Sequence, residues 1–209
     1  MEATLPLPTT LTARLDQAEE LRVPASWEEF LAILPDCPYR IEYDQGQIRS
    51  FMGYATENHE TLVAAIIQLL GQIFQDKEIR ISGSNLALHV PDSGKNYFNA
   101  DCAVIQGSSE KIPLIGSMYA VANPLLLVEV LAKSTINFDL GQKFKAYCKI
   151  PSLQQVLFID SEEITVISQT RINGGSDWLL QEYRDTTGEV AVLDQGSFRV
   201  GDLYEKIRF

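Results

Sequence analysis

Leu125-Leu126-Leu127-Val128-Glu129-Val130-Leu131 is the stretch on which the fold turns. A short, almost uninterrupted apolar run of this kind fits a central strand covered on both faces, in a sheet with helices packed against it. Its one charge, Glu129, shares a period-two face with Leu125, Leu127 and Leu131, so a carboxylate stands where an apolar side chain is expected. Burying an unpaired carboxylate is costly. Such a group must be paired, protonated or bound to a cation, and a strand end opening into a cleft is a common place for that. The alternative is a structural ion pair with a lysine.

Downstream, the pattern predicts a helix from about Asp139 to Lys149, ahead of Pro151, and a buried strand from Gln155 to Asp160. Strand, helix and strand then form a parallel crossover unit. On a helical wheel Leu140, Phe144, Tyr147 and Cys148 make the buried stripe, Lys143 lies at its edge beside Asp139, and Lys145 and Lys149 face solvent. The rest alternates. EEITVISQ, a Gly174-Gly175 turn, DWLLQEYR and two short strands near Val190 and Phe198 read as an antiparallel meander.

Upstream, FNADCAVI places Asp101 at the start of another strand. If this strand neighbours the first, Asp101 and Glu129 can point to one side of the sheet and share a hard divalent cation. An aspartate at a strand entrance is otherwise a turn residue. Short strands are expected near Glu78 to Ser82 and Leu86 to Val90, and a long loop from Gly107 to Pro124. Thr56 can cap a helix running to about Phe74, whose apolar residues from Leu62 to Ile73 form a broad buried face. Arg40 to Met52 reads as a β-hairpin turning at Asp44-Gln45-Gly46. Ser26 and Glu29 fit a capping box for a short helix ending near Leu34. Residues 1–24, with prolines at 6, 8 and 24, read as an arm with a short helix around Leu11 to Leu21, leaving 25–209 as one α/β domain.

The 209 residues suffice for one domain with a sizeable core, and 45% hydrophobic with 22% charged residues is ordinary for a globular chain. No stretch approaches the roughly 18 consecutive apolar residues of a membrane helix. The N-terminal residues lack the pattern of a secretory signal, so a cytoplasmic protein is expected. Three scattered cysteines and two histidines argue against a zinc site, and any metal would have oxygen ligands, which favours Mg²⁺ or Mn²⁺. The net charge of -11 argues against tight, nonspecific nucleic-acid binding, although four lysines (Lys133, Lys143, Lys145, Lys149) gather against one acid, Asp139, between positions 133 and 149.

RIEYDQGQI (40–48), ENHETLV (57–63), NADCAVI (99–105), LLLVEVLAKST (125–135), DLGQKFKAY (139–147) and IPSLQQVLFID (150–160) together resemble the blocks of the Uma-type restriction endonuclease family, in order and spacing. That family belongs to the PD-(D/E)XK nuclease superfamily. The resemblance implies a restriction endonuclease-like mixed β-sheet flanked by helices and a Mg²⁺-dependent phosphodiesterase acting on DNA. By position Asp101 matches the aspartate of the family's Pro-Asp, Glu129 its second acid, and the carbonyl of Val130 its main-chain metal ligand. Lys143 matches a lysine on the following helix, and Glu42, His59, Asp139 and Tyr147 fall on characteristic positions. Tyr147 is expected to pack in the core rather than meet phosphate.

Three departures stand out. Ala100 replaces the family's proline, Leu131 stands where the superfamily places its motif lysine, and Ala132-Lys133 replaces Ser-Pro. Lys143 is then the substitute for the missing lysine, and Lys133 a candidate phosphate contact. A nuclease fold acting as a binding or assembly module with weak or no catalysis is the rival expectation. Many nucleases of this fold cut duplexes as dimers, so a homodimer is also expected.

Overall fold

The computed structural model describes residues 6–17, 20–51, 56–91 and 95–209, the Asn85 side chain apart. Met52 of the expected hairpin and Ala18-Glu19 of the expected first helix lie outside the described residues. Helix α1 covers only Leu11–Leu15, capped by the Thr10 hydroxyl. Glu20–Pro24 is strand β1, whose first two residues fall at the end of the expected helix, and it pairs antiparallel with β3, Gln47–Phe51. Arg14 reaches from α1 into the interior and donates to the Ser50 carbonyl at 2.6 Å. These backbone and side-chain bonds tie the N-terminal stretch to the domain.

Helix α2, Trp27–Ile33, begins at the expected capping box: Ser26 Oγ accepts from the Glu29 amide, and the Glu29 carboxylate accepts from the Ser26 amide. Strand β2, Glu42–Asp44, pairs with β3 across a two-residue turn. Gln45 and Gly46 both have positive φ, 49° and 78°, as a tight hairpin turn with the right twist demands. Gly46→Ala should therefore cost about 1 kcal/mol, read as a lower urea midpoint, because a β-carbon is strained there. An unchanged midpoint would show that the turn adapts freely.

Helix α3, Glu57–Ile73, starts where Thr56 caps the His59 amide and buries Leu62, Val63, Ile66 and Leu70. The two strands expected between 78 and 90 are one bent strand, β4, Ile79–Leu88, because a bulge between Gly83 and Leu86 shifts the register without ending the pairing. Strand β5, Phe98–Gln106, comes next. The expected long loop carries two short strands, β6, Lys111–Pro113, at the sheet edge and β7, Tyr119–Val121, between it and β4. Strand β8, Pro124–Leu131, is the apolar run, and β9, Gln155–Asp160, lies parallel beside it. Their crossover is helical from Ile136 to Tyr147: α4, Ile136–Phe138, a π-helical turn over Asp139–Lys143, and α5, Phe144–Tyr147.

Strands β10, Val166–Arg171, and β11, Trp178–Tyr183, continue the sheet antiparallel. The main sheet thus runs β11-β10-β9-β8-β5-β4-β7-β6, eight strands of mixed direction. Strands β12, Glu189–Val192, and β13, Gly196–Arg199, leave the meander and form their own two-stranded sheet before α6, Val200–Leu203. Gln155 joins the two sheets: its side-chain amide donates to Ser168 Oγ and the Ala191 carbonyl and accepts from the Leu193 amide. One core lies between the sheet and α3, α6 and the β12-β13 hairpin; a second joins Leu127 and Leu131 to Phe138, Tyr147 and Phe158 beneath the crossover; a third gathers Phe30, Tyr43, Ile48 and Tyr97 between α2 and the small sheet. Among the described residues no helix is long and apolar enough to cross a membrane.

Candidate functional site

β8 and β5 are antiparallel neighbours, paired at Cys102 with Val128 and Ala103 with Leu127. On its other side β5 pairs with β4 along its whole length, from Gln106 with Ile79 to Phe98 with Leu88, whereas the pairing with β8 stops at Cys102. At this fork the Val130 amide donates to the Asp101 side chain, Oδ2 at 2.9 Å. Asp101 is therefore placed inside β5, where two strands part, rather than at a strand entrance.

Being in the fork, Asp101 is reached by groups from separate elements. His59 Nε2, on α3, is 3.5 Å from Oδ2, and Arg40 Nη1, just before β2, is 3.6 Å from Oδ1. Burial pushes the Asp101 carboxyl up, but His59 and Arg40 outweigh it and hold the group at about 2. Burial lowers His59, and Asp101 and Glu60 more than reverse this, so His59 is raised.

Glu129 is buried, as its period-two face predicts. Its Oε1 accepts from the Tyr147 hydroxyl at 2.6 Å and lies 2.9 Å from Lys143 Nζ. Lys143 also stands 3.4 Å from both Glu42 Oε1 and Asp139 Oδ1, and it donates to the Asn99 carbonyl at 3.1 Å. Glu42 Oε1 is shared: it accepts from the Asn99 amide and from Arg40. Arg40 donates to the Asn99 carbonyl as well. Four carboxylates, Glu42, Asp101, Glu129 and Asp139, thus converge around Lys143 and Arg40, and Tyr147 closes the cluster from the helix side.

Sequence periodicity puts Lys143 at the edge of the buried stripe beside Asp139, and its side chain is buried. Asp139, Lys143 and Tyr147, four residues apart in turn, share the face that packs on the sheet. The segment Asp139–Lys143 is a π turn, which the sequence pattern does not show. Tyr147 packs in the core as expected, its ring edge-on to Phe98, and also hydrogen bonds to Glu129. Lys133 is exposed in the turn after β8, away from the buried cluster.

Burial pushes Glu129 up to about 8, assisted by Asp139 and Asp101 and opposed by Lys143. Burial alone would lower Lys143, but Glu129, Glu42 and Asp139 hold it above its ordinary value, and Tyr147 and Asp139 are raised, chiefly by burial. A glutamate whose folded value exceeds its ordinary 4.5 contributes stability that is complete below 4.5 and lost as pH rises to about 8. Relative to Glu129→Gln, the native protein should therefore lose urea stability progressively across that window. A pH-independent difference between the two would show that Glu129 is ionised throughout.

The match to the family model described as "Putative restriction endonuclease", Uma2, covers residues 27–197. The chain belongs to this Uma2 family. A Synechocystis protein described as "Uncharacterized protein sll1609" is 33% identical over 162 residues, 78% of this chain and 89% of the relative. A second Synechocystis protein, "Uncharacterized protein slr1290", is 28% identical over 169 residues, 80% and 85% of the two chains. Among solved structures, a "putative nuclease belonging to DUF820 from Anabaena variabilis" superposes with a TM-score of 0.66 at 17% identity, over 87% of this chain and 98% of that one. The restriction endonuclease-like mixed sheet expected from the sequence is the fold observed.

Within this Uma2 chain Leu131 is buried among apolar neighbours, and the ammonium beside Glu129 comes from Lys143. Arg40 and Asn99 were not singled out by sequence. Arg40 sits two residues before Glu42 on an extended segment, a spacing that puts both on one face, whereas Asn99 contributes its backbone, which leaves no trace in residue type.

Among the described residues no three His, Cys, Asp or Glu side chains converge as a ready-made metal site. The donor chemistry nevertheless suits a hard divalent ion. Glu42 Oε2 is buried without a hydrogen-bond partner, Asp101 Oδ1 meets Arg40 across a long 3.6 Å contact, and both Asp101 and Glu129 offer carboxylate oxygens.

Proposed function

We propose that this Uma2 chain is a divalent-metal-dependent endonuclease that hydrolyses phosphodiester bonds in DNA. The convergence of Glu42, Glu129 and Asp139 on Lys143, with Asp101 joined to the cluster through Arg40, in a family of restriction endonuclease type, carries this reading. Asp101, Glu129 and the Val130 carbonyl would hold Mg²⁺ or Mn²⁺. When bound, the ion supplies Lewis-acid stabilisation of the phosphate and lowers the pKa of attacking water.

The protein groups divide the remaining work. The Val130 amide and His59 fix Asp101 Oδ2, which turns Oδ1 to the cation side. Tyr147 orients the Glu129 carboxylate. Lys143, kept protonated by its three acids, cannot serve as a general base at neutral pH; it orients water and offsets the negative charge developing on phosphate. Asp139 positions Lys143 from one helical turn away. Lys133, exposed beyond β8, contacts the DNA backbone, and a homodimer would present two such sites to the two strands of a duplex.

Mg²⁺-dependent nicking of plasmid DNA by the native chain, lost in Asp101→Asn, is the expected result. Divalent binding without cleavage across single-stranded, duplex and branched DNA would sink the enzyme. That outcome is what the second reading predicts, a DNA-binding module on a nuclease fold. Leu131 in place of the motif lysine favours it, as does the net charge of -11.

A further inference from the structure

We infer that Arg40 is an exchangeable counter-ion: a divalent cation displaces it from Asp101 and Glu42, and the freed guanidinium then binds the phosphate of the substrate. This rests on the endonuclease reading and adds to it a residue that contacts the substrate.

The two cations of the cluster differ in kind. Lys143 is sealed in, its side chain 4% exposed and 2.9 Å from Glu129. Arg40 has a side chain 41% exposed, although the carboxylates it faces, Glu42 and Asp101, are only 4% and 6% exposed. Its contacts with them are long, 3.4 Å and 3.6 Å. Arg40 therefore stands at the mouth of a buried acid cluster, tied to the Asn99 carbonyl, with only long contacts to the acids and open to solvent on its other side.

The oxygens define the competition. Asp101 Oδ2 is taken by the Val130 amide and His59, so Oδ1, which faces Arg40, is the oxygen a metal can claim. The second oxygen of Glu42 is buried without a hydrogen-bond partner beside it, a site short of one positive ligand. A divalent ion there carries twice the charge of the guanidinium at shorter range, and takes over its role toward both acids. A guanidinium released at the cleft mouth matches phosphate geometry through two parallel N–H groups, which the buried ammonium of Lys143 cannot do.

The measurement is calorimetric titration of Mn²⁺ into the full chain, native and Arg40→Ala, paired with fluorescence anisotropy of a labelled duplex in Ca²⁺. Arg40→Ala should bind Mn²⁺ about three- to tenfold more tightly, because a competing cation is gone, and bind the duplex about tenfold more weakly. Arg40→Lys should restore native Mn²⁺ affinity and only part of the duplex affinity. Unchanged or weaker Mn²⁺ binding by Arg40→Ala makes Arg40 a fixed pillar of the site and overturns the inference, leaving the endonuclease reading intact. Tighter Mn²⁺ with native duplex affinity overturns the phosphate role. A native chain that binds no Mn²⁺ removes the metal reading itself, and this inference with it. Should Arg40→Ala lose its circular dichroism spectrum, Arg40→Gln is read by the same criteria.

Discussion

Replacing Lys143 with methionine should destabilise the protein by about 3–5 kcal/mol at pH 7, among the largest losses any single substitution can bring here. The side chain is 4% exposed and stands within 3.4 Å of Glu42, Glu129 and Asp139. Methionine fills much the same space, so the loss reports charge rather than a cavity. Without the ammonium, three buried acids face one another, with Arg40 at the edge and Tyr147 as a donor to one of them. Acid should relieve the defect: Glu129, raised to about 8, is already largely protonated at pH 7, and as pH falls the protonation of Asp139, raised by burial, removes a further charge that Lys143 had balanced. The gap between native and Lys143→Met urea midpoints should therefore narrow from pH 7 to pH 4. A loss below about 1 kcal/mol, typical of an exposed pair, would place the ammonium in solvent and dissolve the cluster.

Lys143 also shows where the sequence stops being legible. Glu129 could be found from the residues alone, because it is the one charge in an otherwise apolar run, and that run located β8. The hairpin around Gly46 and the capped helix α3 were readable for similar reasons, since turn and cap chemistry is local. Lys143 could be placed only approximately. A wheel of 3.6 residues per turn sets Lys143 beside Asp139, but it contains neither the π turn nor the acids of β2 and β8 that enclose the ammonium.

Other features depend on pairing between distant segments. The parting of β5 from β8 beyond Cys102 decides that Asp101 meets the Val130 amide, and no pattern within FNADCAVI encodes where that pairing ends. The three-stranded sheet that carries Glu42 to the site includes β1, from a stretch whose prolines suggested an arm. Pro24 ends β1 at its pairing with Gln47, a position consistent with the missing amide of proline at a strand end. Arg49, opposite Glu42 in that sheet, stacks over Phe138 at 4.6 Å and donates to Gln142 on the π turn, so the small sheet and the crossover helix are locked together around the site.

Glu129→Gln separates stability from activity. Glutamine keeps the shape and can still accept from Tyr147 and Lys143, while the cost of burying a carboxylate disappears, so urea stability at pH 8 should equal or exceed that of the native chain. Lys143 retains Glu42 and Asp139 as partners. Divalent binding should nonetheless weaken by more than about tenfold and Mg²⁺-dependent cleavage fall by about a hundredfold or more, since a neutral amide is a poor ligand for a hard cation. Proton release provides an independent sign. With Glu129 raised to about 8, metal binding at pH 7 must expel its proton, whereas Glu129→Gln has none to expel. Titrating Mn²⁺ in buffers of different ionisation enthalpy measures that proton directly. Equal release by both proteins would mean the cation binds without Glu129, and the centre of the site would move to Asp101 and Glu42.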